Sequence, residues 1–180
     1  LNIIVAHINH GLRGEDSLHD RAIVVDFCQN NDIDCEILDV ATENRGENEN
    51  SWRTIRRAFF ARIAHKYEAD SIALGHHKND HAETLLLNLI RGSGFQGLAN
   101  MTFRSHQSLD ISENQESRGT HTIIRPLLNM SRSAISTYCD DYSIRFGEDQ
   151  TNQDTRFLRN KIRHELIPYL EDHYNQSIVT

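Results

Sequence analysis

The sequence predicts an α/β fold: an open parallel sheet with flanking helices, followed by a small, mostly helical C-terminal portion. Three observations carry that expectation. Apolar, largely β-branched runs at Ile3 to Ile8, Cys35 to Val40 and Ser71 to Leu74 alternate with stretches of helical periodicity, the pattern of βαβ units. The first and third runs end directly in histidine-rich segments, His7 to His10 and His76 to His81, where open parallel sheets bind their ligands. No apolar run approaches the roughly 20 residues that a bilayer crossing requires, so no membrane span is expected.

The run Ile3 to Ile8 is nearly continuous in apolar character, as a parallel strand covered on both faces should be. Asp16 and Ser17 then supply N-cap chemistry for a helix carried by Ala22, Val25, Phe27 and Cys28 and ending near Asn30 and Asn31. After the second strand, the polar run Thr42 to Asn50 reads as a loop. From Ser51 to about Tyr67, Ile55, Phe59, Ile63 and Tyr67 recur every fourth residue and predict an amphipathic helix with an arginine-rich flank. A helix from about Asp80 to Ile90 follows the third strand and stops at Arg91-Gly92-Ser93-Gly94. Residues from about Ser105 to Thr120 are rich in Gln, Ser, Asn and Gly, and are expected to form a flexible surface insertion. Ile123 to Leu128 is a strand end, Ser131 caps a helix to about Tyr142, and a last helix covers roughly Asp154 to Asp172 with Pro168 as a kink. The domain expectation is an α/β region over residues 1–130 and a helical part over 131–180.

The chain of 180 residues has a net charge of −7, which by itself disfavours a nucleic-acid partner. The distribution softens that objection, because Arg53, Arg56, Arg57 and Arg62 cluster in one segment and Arg156, Arg159, Lys161 and Arg163 in another. Either cluster is equally readable as a solvated helix face. Cys28, Cys35 and Cys139 are odd in number and form no CxxC pair, as in a reducing cytosol. The chain opens on LNIIVAHIN without Met, which reads as mid-fold and suggests a fragment.

The stretch GHHKNDHAET, Gly75 to Thr84, admits two readings. His77 and His81 are four apart and Asp80 and Glu83 three apart, so each pair shares a helical face, and imidazole and carboxylate ligate zinc or iron. Against a metal, the helix should start only near Asp80, which leaves His76 and His77 in the loop, and neither HExxH nor HxxEH occurs. No tightly bound metal is expected. An acid at a helix start is also ordinary capping chemistry. The turn Arg91-Gly92-Ser93-Gly94 with Gly97 offers amides and a guanidinium to phosphate, or is simply a helix C-cap. Walker A and GxGxxG patterns are absent.

Taken in order, HINHGLRG (His7 to Gly14), ENSWRTIRRAFF (Glu49 to Phe60), GHHKNDHAETLLLNLIRGSGFQGLANM (Gly75 to Met101), IIRPLL (Ile123 to Leu128) and EDQTNQDTRFLRNKIRHELIP (Glu148 to Pro168) resemble successive motifs of tRNA(Ile)-lysidine synthetase, an N-type ATP pyrophosphatase of the PP-loop group. The resemblance implies a Rossmann-like, adenine nucleotide alpha hydrolase-like sheet and a cytoplasmic enzyme. It implies that ATP, with Mg2+, adenylates the C2 carbonyl oxygen of the wobble cytidine in the CAU anticodon of tRNA(Ile), after which the L-lysine ε-amine displaces AMP to give lysidine. Such chemistry needs a pyrophosphate cradle, donors for developing phosphate charge and a carboxylate that orients and deprotonates the incoming ammonium. The roles implied are catalytic for Asp80, Glu83 and Arg159, and ATP-binding for His7, His10, Arg13, His76, Arg91, Gly92, Ser93 and Gly94. Arg53, Arg56, Arg125, Asp149, Asn152, Asn160 and Arg163 are implied to meet tRNA or close the active site, tasks suited to the arginine fork.

Several positions depart from the family pattern. Asn79 stands where many members carry a second Asp, Trp52 replaces Ala and Arg57 replaces Tyr. The family's SGGxDS loop would lie before Leu1 and has no match in this chain, so the chain alone is expected to show little or no ligase activity. The alternatives are a tRNA-thiolating PP-loop enzyme, a metal-dependent phosphohydrolase built on His77, Asp80 and His81, and a noncatalytic RNA-binding module.

Overall fold

The computed structural model describes residues 1–11, 14–40, 49–94, 101–110, 118–147 and 153–179. They form two compact units, one of Leu1–Ile72, His106–Ile123 and Arg145–Gly147, the other of Ala73–Ser105, Ile124–Ile144 and Glu148–Thr180. The expected boundary near residue 130 falls inside the second unit.

In the first unit, β1 (Ile4–Asn9) and β2 (Asp34–Asp39) pair in parallel, with Ile4 opposite Asp34 and Asn9 opposite Asp39. A parallel pair needs a crossover, and α1 (Glu15–Asn30) supplies it. This helix begins one turn earlier than Asp16 and Ser17 would place it. Its N-cap is Gly14, at φ +53° and without a side-chain cap, so Asp16 lies in the first turn, favourable to the helix dipole, and Ser17 is buried. In α2 (Glu49–Lys66) the centre of the expected stripe is buried at Phe59 and Ile63, together with Ala61 and Ala64, while Ile55 is half-buried and Tyr67 lies just past the helix end.

Strand β3 (Ser71–Ala73) hydrogen-bonds not to β1 or β2 but within a three-stranded sheet in the order β3-β5-β4, where β4 is Arg104–Asp110 and β5 is Arg118–Ile124. The expected flexible insertion at 105–120 is therefore mostly strand, with residues 111–117 outside the described set. Burial alternates along β4: Ser105, Gln107 and Leu109 are covered while Arg104, His106 and Ser108 are exposed. The period of two is that of a half-buried strand, but its inward residues are mainly polar, which hid it in the composition.

The second unit holds α3 (Lys78–Ile90), α4 (Arg132–Asp141) and a composite C-terminal helix. Ser131 caps α4 as expected, its Oγ accepting from the Ala134 amide at 3.1 Å. The last helix starts at Leu158 rather than Asp154 and runs as α5 (Leu158–Lys161), a π turn (Ile162–Leu166) and α6 (Ile167–His173). The expected break at Pro168 is that π turn. In an unbroken α-helix the proline ring would crowd the His164 carbonyl, and widening the preceding turn relieves this. Ile162 and Ile167, at its two ends, are buried.

Candidate active site

Helix α3 begins with a reciprocal cap. The His77 imidazole accepts from the Asp80 amide at 3.4 Å, and the Asp80 carboxylate Oδ2 accepts from the His77 amide at 3.1 Å. This is a capping box with histidine in the usual place of serine or threonine. The cap fixes Asp80 in one orientation and leaves Oδ1 to face elsewhere. Glu83, one turn on, lies on the same face.

Opposite that face, Arg159 and Arg163 project from α5 and the π turn. Arg159 Nη2 donates to Asp80 Oδ1 at 2.8 Å and its Nε donates to Glu83 Oε2 at 2.8 Å. Arg163 donates from Nε to Glu83 Oε1 at 2.6 Å and from Nη2 to Oε2 at 3.0 Å. Arg163 Nη2 also lies 4.0 Å from Asp80 Oδ1. The cluster holds two carboxylates and two guanidiniums and is neutral as a set. Hydrogen bonding to Glu83 raises the Arg163 pKa above its usual value, so this guanidinium stays charged. Burial orders the members by reach. The Glu83 side chain is 1% exposed, Asp80 15%, Arg163 20% and Arg159 39%. Glu83 is therefore enclosed, Asp80 and Arg163 are each partly open, and Arg159 is the most open member.

Asn79 is also occupied, its Oδ1 accepting from the Arg132 amide at the start of α4 at 3.0 Å. An amide does at this helix start what an aspartate would do. The Arg91–Gly94 turn closes α3 as a Schellman motif: the Gly92 amide donates to Leu89 O at 3.0 Å and the Ser93 amide to Asn88 O at 2.9 Å, with Gly92 at φ +74°. With the Arg91 amide on Leu87 O, three amides of the proposed phosphate turn are thus bound to the helix's own carbonyls, while Arg91, Gly92 and Gly94 are exposed. Arg125 is buried. Its Nη1 donates to Thr102 O at 2.9 Å and Ser105 Oγ at 3.2 Å, and burial lowers its pKa. Asn160, also buried, donates to Asp154 O at 2.9 Å. His76 is half-buried in the loop before α3.

In the first unit the carboxyl ends of β1 and β2 carry a polar set. Asn9 Nδ2 donates to Asp39 Oδ1 at 3.0 Å while its Oδ1 accepts from the Gly11 amide at 3.0 Å, which turns the chain off the strand. His10 meets the Trp52 ring edge-on at 4.8 Å between centroids. Among the described residues, its buried Nδ1 has no hydrogen-bond partner. Burial lowers the pKa of both His7 and His10, with nearby Arg56 acting in the same direction on His10. Both rings are neutral at pH 7. Arg53 and Arg56 are exposed on α2. Arg13, Asp149 and Asn152 lie outside the described residues. Sequence reading passed over Asp39 and the cap role of His77, and gave Trp52 only as a departure. Asp39 carried a usable signal, as the last polar residue of a predicted strand.

No group of three or more His, Cys, Asp or Glu side chains able to hold a metal ion occurs among the described residues. His77 Nδ1 and both Asp80 oxygens are engaged in the cap and the arginine pairing. Cys28 and Cys35 adjoin in the first unit and Cys139 belongs to the second. No described helix is long and apolar enough to cross a membrane.

A parallel β-α-β pair with its polar side chains at the strands' carboxyl ends defines an α/β protein of the open-sheet class. A PP-loop domain model matches residues 1–170, and the chain belongs to that family. It is 39% identical over 184 aligned residues to a tRNA(Ile)-lysidine synthase of Clostridium tetani, covering 99% of this chain and 36% of that protein. A tRNA(Ile)-lysidine synthase of Geobacter sulfurreducens is 38% identical over 175 residues, covering 94% of this chain and 34% of the relative. The chain thus spans about a third of the length of these curated relatives. Among solved structures, the U34-tRNA thiolase NcsA from Methanococcus maripaludis with its [4Fe-4S] cluster shares the fold at a TM-score of 0.72 and 18% identity, over 99% of this chain and 60% of that one.

Proposed function

We propose that this chain is catalytic-region sequence of a tRNA(Ile)-lysidine synthase, in which ATP activates C2 of the wobble cytidine of tRNA(Ile) and the ε-amine of L-lysine displaces AMP. The observation that supports it best is the Asp80 carboxylate, fixed by its cap, partly open to solvent and joined to a half-exposed arginine. A lysine ammonium is no nucleophile while charged. A carboxylate in a set orientation can accept its hydrogen bond, favour the productive approach and take up or relay the proton. Arg159 beside it supplies positive charge where phosphate charge develops. His7 and His10, neutral and at strand carboxyl ends, suit the nucleoside, with Arg13 and His76 as further ATP contacts. Arg91, Gly92, Ser93 and Gly94 belong to the same proposal, as do Arg53, Arg56, Asp149 and Asn152 for tRNA. Magnesium belongs to this reading as the loosely held partner of ATP. A cytoplasmic location follows from this reading.

The cysteines disfavour cluster-based thiolation, because they form no CxxC pair and the two that adjoin, Cys28 and Cys35, fall short of the thiol set a cluster needs. The test is a chimera in which residues 1–180 replace the matched segment of the Clostridium tetani relative, assayed with ATP, labelled lysine and a CAU-anticodon tRNA(Ile). Lysine incorporation is expected, and Asp80→Asn in that chimera should abolish it while ATP binding persists. Normal turnover by the Asp80→Asn chimera would remove Asp80 from the reaction, and a folded chimera that consumes ATP without incorporating lysine would overturn the assignment.

A further inference from the structure

We propose that Arg163 is a positioning residue: acting through the buried Glu83 carboxylate, it holds the Arg159 guanidinium against Asp80 and touches neither RNA nor lysine. The kinetic part of the inference rests on the function proposed above, and the structural part does not.

The geometry gives Arg163 an inward task. Its Nε and Nη2 both donate to Glu83, whose side chain is 1% exposed. An arginine that offers two parallel N–H groups to one carboxylate fixes the plane of that carboxylate as well as its charge. Arg159 behaves differently. It divides its donors, Nε to Glu83 and Nη2 to Asp80, and its side chain is 39% exposed. The Glu83 plane therefore sets where the Arg159 fork points, and Arg163 sets the Glu83 plane. Arg159 gives Glu83 a single N–H and could not fix that plane by itself, because one hydrogen bond leaves the carboxylate free to rotate about its terminal bond.

The backbone around Arg163 fits this assignment. Ile167 N–H closes on Ile162 O across the π turn, and Arg163 is the second residue of that turn. Single π turns are uncommon in helices and concentrate at functional sites. Pro168, next after the closing residue, accounts for the widening, as argued above. Arg159 Nε on the α5 turn and Arg163 Nη2 on the π turn thereby share Oε2 of one carboxylate, while Arg163 Nε takes Oε1 as well.

The test uses the natural gene product that bears this chain. In its first arm, Arg159 labelling by phenylglyoxal is followed by mass spectrometry in the parent and in Arg163→Lys, which keeps the charge but not the fork. Labelling should accelerate about tenfold, the factor that one charge-assisted hydrogen bond is worth. Glu83→Asp, which shortens the anchor, should do the same and covers the case in which Arg163→Lys misfolds. Unchanged labelling in either folded variant overturns the proposal. In the second arm, Arg163→Lys should lower kcat for lysine transfer about 100-fold, as misplacement of a reacting group does, with KM for tRNA unchanged. In an Arg159→Lys background the same change should cost less than about 3-fold, since residues acting as one unit are not additive. An RNA contact predicts otherwise: Arg163→Gln would then reduce the salt slope of tRNA binding by about one. That result, or losses that multiply, would refute positioning. If the gene product makes no lysidine, the proposed function fails while the labelling arm still decides this inference.

Discussion

Replacing Glu83 by Gln isolates what the enclosed carboxylate contributes to folding, because shape and volume are retained and only charge and acceptor capacity change. In the native cluster Oε2 accepts from Arg159 Nε and Arg163 Nη2, and Oε1 from Arg163 Nε. The lone amide oxygen of Gln does best at the Oε2 position, where it keeps two of the three bonds with a neutral acceptor. The NH2 group then faces Arg163 Nε, donor against donor. Loss of one charge-assisted bond costs about 1.5–3 kcal/mol, and the two survivors weaken by roughly half. Arg159 recovers water on release, since its side chain is 39% exposed, so its share belongs at the low end. The sum is about 3–5 kcal/mol, the range measured when one partner of a buried ion pair is removed. For a chain of this size that is a fall of roughly 6–20 °C in Tm. Urea unfolding followed by far-UV circular dichroism reads it, and Trp52, the only tryptophan, reports the first unit separately. A Glu83→Gln protein within about 0.5 kcal/mol of the parent would show that the cluster is not a structural anchor.

Two further outcomes follow from local geometry. Gly92→Ala should cost about 1–2 kcal/mol by denaturant titration, because φ of +74° is the left-handed region that a Cβ disfavours, whereas Gly94→Ala, with no positive φ and no atom within 4 Å of the added Cβ, should leave stability unchanged. If Gly94→Ala instead weakens ATP binding without loss of stability, the turn has a ligand role beyond capping. The second concerns pH. His7 and His10 are held neutral by burial, with folded pKa values below the usual 6.5, so the unfolded chain binds protons first as pH drops. Stability from these sites is complete above about 6.5 and is lost as pH falls through their folded values. His7→Gln and His10→Gln should flatten the decline in unfolding free energy between about pH 7 and pH 5, and an unchanged slope would contradict the burial account.

The parts of the fold that sequence revealed are those governed by near neighbours. The every-fourth-residue stripe from Ile55 to Tyr67 and the apolar run before His7 are periodic signals, and they became α2 and β1. Strand β4 was missed because Ser105 and Gln107 turn inward where apolar residues are expected. The cap of α1 was misplaced because Gly14 serves through its backbone, while Asp16 and Ser17 only resemble caps. At the candidate site, the spacing of Asp80 to Glu83 and of Arg159 to Arg163 was legible, since three- and four-residue steps share a helical face. That the two faces meet was not, because the pairs are separated by 76 to 80 positions in the chain, and no local pattern encodes such a pairing.

Capping and function were rival explanations for Asp80, and the geometry removes the rivalry. Oδ2 closes the helix N-terminus on His77 while Oδ1 is presented to Arg159. A carboxylate used only as a cap would keep its second oxygen in water, and one used only for a ligand would lack a fixed rotamer. Held from both sides, Asp80 loses little further freedom when a cation arrives, which is the condition the proposed function sets for a group that orients an amine. The same logic explains why Glu83 is enclosed and Asp80 is not. An anchor gains from exclusion of water, whereas a group that exchanges partners must remain within its reach.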